Sequence, residues 1–192
     1  IHTHGLPVEF SADALKQAER AAPVALGNRE DLRSLPLVTI DGADARDFDD
    51  AVLATPLEGG GWEIRVAIAD VSHYVRPGSA LDAEARKRGN SVYLPDRVVP
   101  MLPEALSNDL CSLRPNEPRA AMVAIITMDE DGDVTSQSFE RALISGSVFR
   151  IFFCMLRRKC AQGITNHWNY LHPSLHIHPN MRIIMGSIIT VR

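Results

Sequence analysis

Apolar and polar residues alternate most regularly from Trp62 to Ile68, where Trp62, Ile64, Val66 and Ile68 are separated by Glu63, Arg65 and Ala67. A period of two is that of a half-buried strand. The three glycines at 59–61 supply a turn back to the apolar run Ala51, Val52 and Leu53, so the stretch predicts a β-hairpin. A second hairpin is expected from residues 122–128 and 134–143 around Asp129-Glu130-Asp131-Gly132-Asp133. That turn is acidic, but Asp and Gly supply turn conformations directly, and a solvated turn accounts for it without a metal. Leu37, Val38 and Ile40 read as one more short buried strand.

Helices are marked by their ends. Ser11 is placed to cap a helix running to about Ala22, and residues 23–35 then read as a polar connector. Ser79 with Asp82 opens a helix over residues 80–88, and Gly89 stops it. Pro100, Pro103 and Pro115 break the following segment, which retains a short helix near residues 104–106. These elements predict an α+β fold: a mixed, largely antiparallel sheet with hairpins and flanking helices.

Between the first strand and the first hairpin, Asp41, Asp44, Asp47, Asp49 and Asp50 fall within ten residues. Like charges brought into one pocket repel, and the cost is large unless a cation offsets it. Hard carboxylate oxygens suit Mg²⁺, which leaves its remaining positions to water and substrate phosphate. Gly42 lets the chain turn after Asp41, and a loop fixed at both ends by core strands is a usual place for a site. The chemistry expected is phosphoryl transfer on a phosphate ester. A solvated acidic turn or a calcium loop are the alternatives; the EF-hand pattern of alternating acids, central Gly and late Glu is not met.

Charge is distributed unevenly. The net charge of −4 conceals 24 acids against 13 Lys and Arg in residues 1–140, and no acid with 7 Lys and Arg in residues 141–192. The acidic part therefore lacks the basic footprint of an RNA binder except at Arg86, Lys87, Arg88 and Arg97. Residues 86–88 also sit near a helix C-terminus, where cations are favourable without any ligand. No apolar run approaches the ~18 residues of a membrane span, and no signal peptide opens the chain. Ile1 in place of Met implies residues upstream. Cys111, Cys154 and Cys160 cannot all pair, so no disulfide partner and a cytoplasmic setting are expected.

The run TIDGADARDFDDAV (39–52), the stretch from Val66 to Leu113 containing ADVSHYV and NSVYLP, and the spacing between them closely resemble the catalytic domain of the ribonuclease II and ribonuclease R family, its bacterial ribonuclease R branch in particular. The resemblance runs from about Pro36 to about Leu143. It implies a Mg²⁺-dependent hydrolytic 3′→5′ exoribonuclease that acts on single-stranded RNA and releases nucleoside 5′-monophosphates. Carried over residue by residue, it places the metal ligands on Asp41, Asp47, Asp49 and Asp50. Asp49 and Asp50 are then catalytic, and Asp50 matters most for chemistry without being essential for RNA binding. Two-metal logic has one ion activate the attacking water and the other stabilise the leaving oxygen. Tyr93 matches a tyrosine that packs on the terminal nucleotide; by itself it also reads as a core strand aromatic. Arg46 becomes a candidate phosphate contact, and His73 a structural histidine.

On this reading the chain divides into a connector with a short helix (1–35), the N-terminal part of the catalytic domain (36–147) and a basic tail (148–192) that resembles nothing in the family. The tail reads either as a shifted reading frame or as an RNA-binding extension, with Arg157, Arg158 and Lys159 beside Phe152 and Phe153. His172, His176 and His178 fit no standard zinc spacing. The family's later Arg-rich segment and oligonucleotide-binding modules are not visible. The rival expectation is therefore a truncated, inactive fragment with weak metal or RNA binding.

Overall fold

The computed structural model describes residue 5, residues 7–41 and residues 45–148. In chain order the elements are α1 (Ala12–Glu19), β1 (Glu30–Leu32), β2 (Val38–Thr39), β3 (Asp50–Pro56), β4 (Trp62–Ala69), α2 (Val71–Tyr74), α3 (Ala80–Arg88), β5 (Val92–Tyr93), β6 (Val98–Val99), a π-helical turn (Leu106–Leu110), β7 (Pro118–Met128), β8 (Val134–Ser145) and β9 (Ser147–Val148). Seven strands form one sheet in the order β1-β8-β7-β4-β3-β2-β9, and β5 with β6 forms a separate ribbon. The long pairs are antiparallel; β1 with β8 and β2 with β9 are parallel. This is the α+β architecture that the residue pattern predicts.

Both hairpins form, and both extend beyond the expected limits. β3 and β4 pair from Asp50 with Ile68 to Pro56 with Trp62. The turn between them needs glycine: Gly61 has φ +79°, and a Cβ there would lie 2.1 Å from the Met128 carbonyl oxygen. In the second hairpin the Asp129 carboxylate accepts the backbone N–H groups of Asp131 at 3.1 Å and Asp133 at 2.9 Å. That turn is closed by its own side chain, as Asx chemistry predicts.

Alternation puts small residues on the inner face of the sheet. Ala51, Ala67, Ala69, Ala121, Val123, Ala142 and Ile144 pack in one cluster with Ala14 and Ala18 of α1, Leu81 and Ala85 of α3, and Leu102, Leu106, Leu110 and Leu113. Alanine on the strands lets helices approach closely, and the leucines fill the remaining space. The outer face is thinner. Ile64 and Met128 are buried there with Trp62, Val66 and Ile126, while Phe139 remains 70% exposed.

Ser11 and Ser79 cap α1 and α3 as expected, and Gly89 ends α3 at φ +78°. α1 stops at Glu19 rather than Ala22, because Pro23 disfavours helical backbone at the residue before it. Residues 30–32, read as connector, form edge strand β1; its hydrogen bonds to β8 depend on residues more than a hundred positions away. Arg88 is committed to structure. Its guanidinium donates to the carbonyls of Glu9 and Pro100, pairs with Glu84 at 3.3 Å and lies 3.6 Å over the Phe10 ring. Among the described residues no helix is long and apolar enough to cross a membrane.

The acidic segment is fixed through its main chain. The buried Ser112 hydroxyl donates to the Arg46 carbonyl at 2.7 Å and accepts the Phe48 N–H at 3.1 Å. Leu113 N–H donates to the Phe48 carbonyl at 2.8 Å, and Ala69 N–H to the Asp49 carbonyl at 2.9 Å. Ser112 is held in turn by Arg119, 7% exposed at its side chain, whose Nε donates to the Ser112 and Asp109 carbonyls at 3.0 Å while Nη2 pairs with Asp109 and Glu117.

Two substitutions test this arrangement. Ser112→Ala leaves a partly buried carbonyl and N–H without their bridge, so stability should fall by about 1 kcal/mol and Phe48 amide exchange should quicken; an unchanged exchange rate would show the loop to be held elsewhere. Gly61→Ala should lower the urea midpoint by the equivalent of about 1–3 kcal/mol for the strained backbone alone.

Candidate acidic site

The structure places the sequence-derived site residues around one end of the sheet. Asp41 follows β2, Asp47 and Asp49 lie in the pinned stretch before β3, and Asp50 is the first residue of β3, paired with Ile68. Asp44 and Gly42 lie outside the described residues, as do Cys154, Cys160 and the tail residues named above.

Tyr93 is not a core aromatic. It stands on the β5–β6 ribbon, 61% exposed, and its hydroxyl donates to the Asp47 carboxylate. The ribbon therefore reaches the acidic loop across 46 residues of chain, bringing an accessible aromatic ring and a carboxylate together. Arg46 is exposed, and its backbone carbonyl rather than its side chain joins the anchoring network.

The carboxylates are not equivalent. Alternation along β3 sets Asp50 on the face opposite Ala51, whose methyl lies in the core. Asp49 is electrically close to the buried Cys111 thiol. Burial first, and then the negative charges of Asp49 and Asp70, push that thiol up to about 12, so it remains a neutral core group at neutral pH. Among the described residues no three His, Cys, Asp or Glu side chains converge as a metal cage. The donor set of Asp41, Asp47, Asp49 and Asp50 is nevertheless entirely carboxylate oxygen, which fits a hard divalent cation and not a thiolate- or imidazole-bound one.

Residue reading alone missed a second charged cluster beside this loop. Asp70, whose side chain is fully buried, pairs with Arg29 at 2.7 Å and Arg141 at 3.1 Å and accepts the Ser72 hydroxyl at 2.7 Å. Burial alone would raise the Asp70 carboxyl; the Ser72 hydrogen bond, the Arg29 hydrogen bond and the two guanidinium charges outweigh it and hold the carboxyl below its ordinary range. His73 lies edge-on to Tyr74, ring centres 5.0 Å apart, and burial with the charges of Arg29 and Arg76 lowers its affinity for a proton. The signal in the sequence was Asp70 at a strand end, but its partners lie 41 and 71 residues away.

Residues 29–148 match the RNB domain family. The chain is 53% identical over 149 residues to ribonuclease R of Vibrio cholerae, covering 76% of this chain and 18% of the relative. It is 54% identical over 201 residues to ribonuclease R of Vibrio parahaemolyticus, covering 98% of this chain and 24% of the relative. The second match covers nearly the whole chain and so extends past residue 148, into the tail that residue reading had assigned to no family. The chain thus spans roughly a fifth to a quarter of the length of these relatives. Among solved structures, Mycoplasma genitalium RNase R in complex with double-stranded RNA superposes with a TM-score of 0.73 at 29% identity, over 95% of this chain and 31% of that one. Yeast Ssd1, described as a pseudonuclease, shares the fold at a TM-score of 0.59 and 22% identity, over 82% of this chain and 18% of that one. The acidic loop, Tyr93 and the strands that hold them all fall inside the matched stretch, and the chain belongs to the RNB domain family.

Proposed function

We propose that this chain carries the acidic site of a Mg²⁺-dependent hydrolytic 3′→5′ exoribonuclease that acts on single-stranded RNA and releases nucleoside 5′-monophosphates. The observation that carries this reading is the pinned acidic loop with the exposed Tyr93 ring hydrogen-bonded to it through Asp47. Its membership in a family that includes ribonuclease R supplies the reaction class.

Asp41, Asp47, Asp49 and Asp50 are the residues that would hold Mg²⁺, as their all-oxygen chemistry suits. Held there, Mg²⁺ would supply a bound water of lowered pKa and positive charge for the leaving oxygen. The protein's own contribution is positioning. The Ser112 bridge and the Ala69 hydrogen bond fix the backbone on either side of Asp47 and Asp49, which limits the reorganisation left for the moment of reaction. Tyr93 presents a ring face for base stacking, worth about 1–3 kcal/mol per base, while its hydroxyl orients the Asp47 carboxylate. On this reading Asp49 and Asp50 are the catalytic pair and the exposed Arg46 is a phosphate contact.

A fold shared with a pseudonuclease means that fold alone does not guarantee turnover. The decisive experiment is Mg²⁺-dependent shortening of 5′-labelled single-stranded RNA, with Asp50→Asn as control. Stepwise loss from the 3′ end that vanishes in Asp50→Asn, with RNA binding retained, is the expected result. A folded chain that binds metal and RNA without shortening would assign the loop to binding only.

Tyr93→Ala should weaken RNA binding by the equivalent of about 1–3 kcal/mol, whereas Tyr93→Phe, which keeps the ring and loses the hydroxyl, should bind RNA normally and require more Mg²⁺. Equal loss of RNA binding in the two would assign the effect to the hydroxyl and refute stacking on the ring. A 2′-deoxy substitution at the scissile nucleotide should slow cleavage, since the 2′-hydroxyl distinguishes RNA from DNA; equal rates would describe a nuclease indifferent to the sugar.

A further inference from the structure

Beside Asp70 a pocket of about 830 Å³ opens between the segment after α1 and the end of α2. Its lining contains Arg20, Arg29, Arg76 and Arg141 together with His73 and Tyr74, and no acid. Four guanidinium charges thus face a cavity with one neutralising carboxylate, Asp70, buried beneath them. The Arg29 side chain is only 7% exposed, and its Nη2 is taken by Asp70 at 2.7 Å. Its Nη1 is buried and has no hydrogen-bond partner among the described residues. A buried guanidinium N–H left unpaired is costly, and Arg29 lines this cavity with donor capacity that Asp70 does not use. Arg20 and Arg76 are exposed at the pocket and have no ion-pair partner among the described residues.

We infer that this pocket is a phosphate-binding site distinct from the acidic loop, taking the phosphate group of a nucleotide or of an RNA backbone. Arginine forks match phosphate oxygens in pairs, and the Tyr74 ring in the same lining offers an apolar surface to whatever the phosphate carries. The pocket and the acidic loop flank the same strand end: Ala69 N–H binds the Asp49 carbonyl, and the next residue, Asp70, holds the arginines. A chain whose residues 1–140 are strongly acidic thereby concentrates positive charge at one place near its candidate site. The inference requires no hydrolysis, so it stands or falls separately from the proposed activity.

The test is calorimetric titration of the whole chain with inorganic phosphate, adenosine 5′-monophosphate and single-stranded oligoadenylate, with adenosine as the phosphate-free control. Binding of the phosphate-bearing ligands, and not of adenosine, is expected. The combined Arg20→Glu and Arg76→Glu variant, altered only at exposed positions, should weaken that binding by about tenfold or more. Asp50→Asn should leave phosphate and mononucleotide binding within twofold of the unaltered chain, which separates failure of this pocket from failure of the acidic site. Uptake of all three phosphate ligands would assign the pocket to any phosphate, and uptake of the oligonucleotide alone would assign it to the backbone phosphodiester, provided that each falls on arginine reversal. Adenosine binding as tightly as its monophosphate, no binding at all, or reversal without effect would overturn the inference.

Discussion

The Ser112 hydroxyl bridges the Arg46 carbonyl and the Phe48 N–H, and the disposition of the acidic loop depends on that bridge. Side chains of one charge cannot hold themselves together; their mutual repulsion opens any loop that relies on them. The chain solves this by fixing the backbone instead. Neutral hydrogen bonds from Ser112, Leu113 and Ala69 clamp the main chain on both sides of Asp47, and Arg119 secures Ser112 from behind. The position of the loop is thereby set by neutral main-chain hydrogen bonds and not by its carboxylates.

Positive charge is managed in the opposite way. Arg88 and Arg119 spend their donors on backbone carbonyls and neighbouring acids, and so belong to the scaffold. Arg29 is only half spent: one terminal nitrogen meets Asp70, the other is buried without a partner among the described residues, and the residue lines a cavity together with three further arginines. Acidic and basic groups are thereby segregated to two sides of one strand end. A phosphate-bearing chain would meet an acidic surface on one side and a guanidinium surface on the other.

How much was legible depended on the range of the interaction. Hairpin turns at 59–61 and 129–133, the caps at Ser11 and Ser79 and the stop at Gly89 act within a few residues, and local pattern found each of them. Strand β1 was read as connector because Glu30 and Asp31 carry no alternation, and only the β8 edge makes them a strand. Tyr93 could be read as stacked or as core from NSVYLP alone; its exposure follows from the short β5–β6 ribbon standing apart from the main sheet. Ser112 carried no local signal and Asp70 only its place at a strand end, since the Arg46, Phe48, Arg29 and Arg141 groups they bind lie 41 to 71 residues distant.

The sequence by itself determined the fold class, the acidic motif and its family, because alternation, turn chemistry and a dense run of aspartates are properties of neighbouring residues. Tertiary structure alone decided which groups hold that motif, which arginines remain available and that Tyr93 meets Asp47. Those outcomes depend on distance in space between residues far apart along the chain, and on the desolvation of each charge once the sheet and helices close around it.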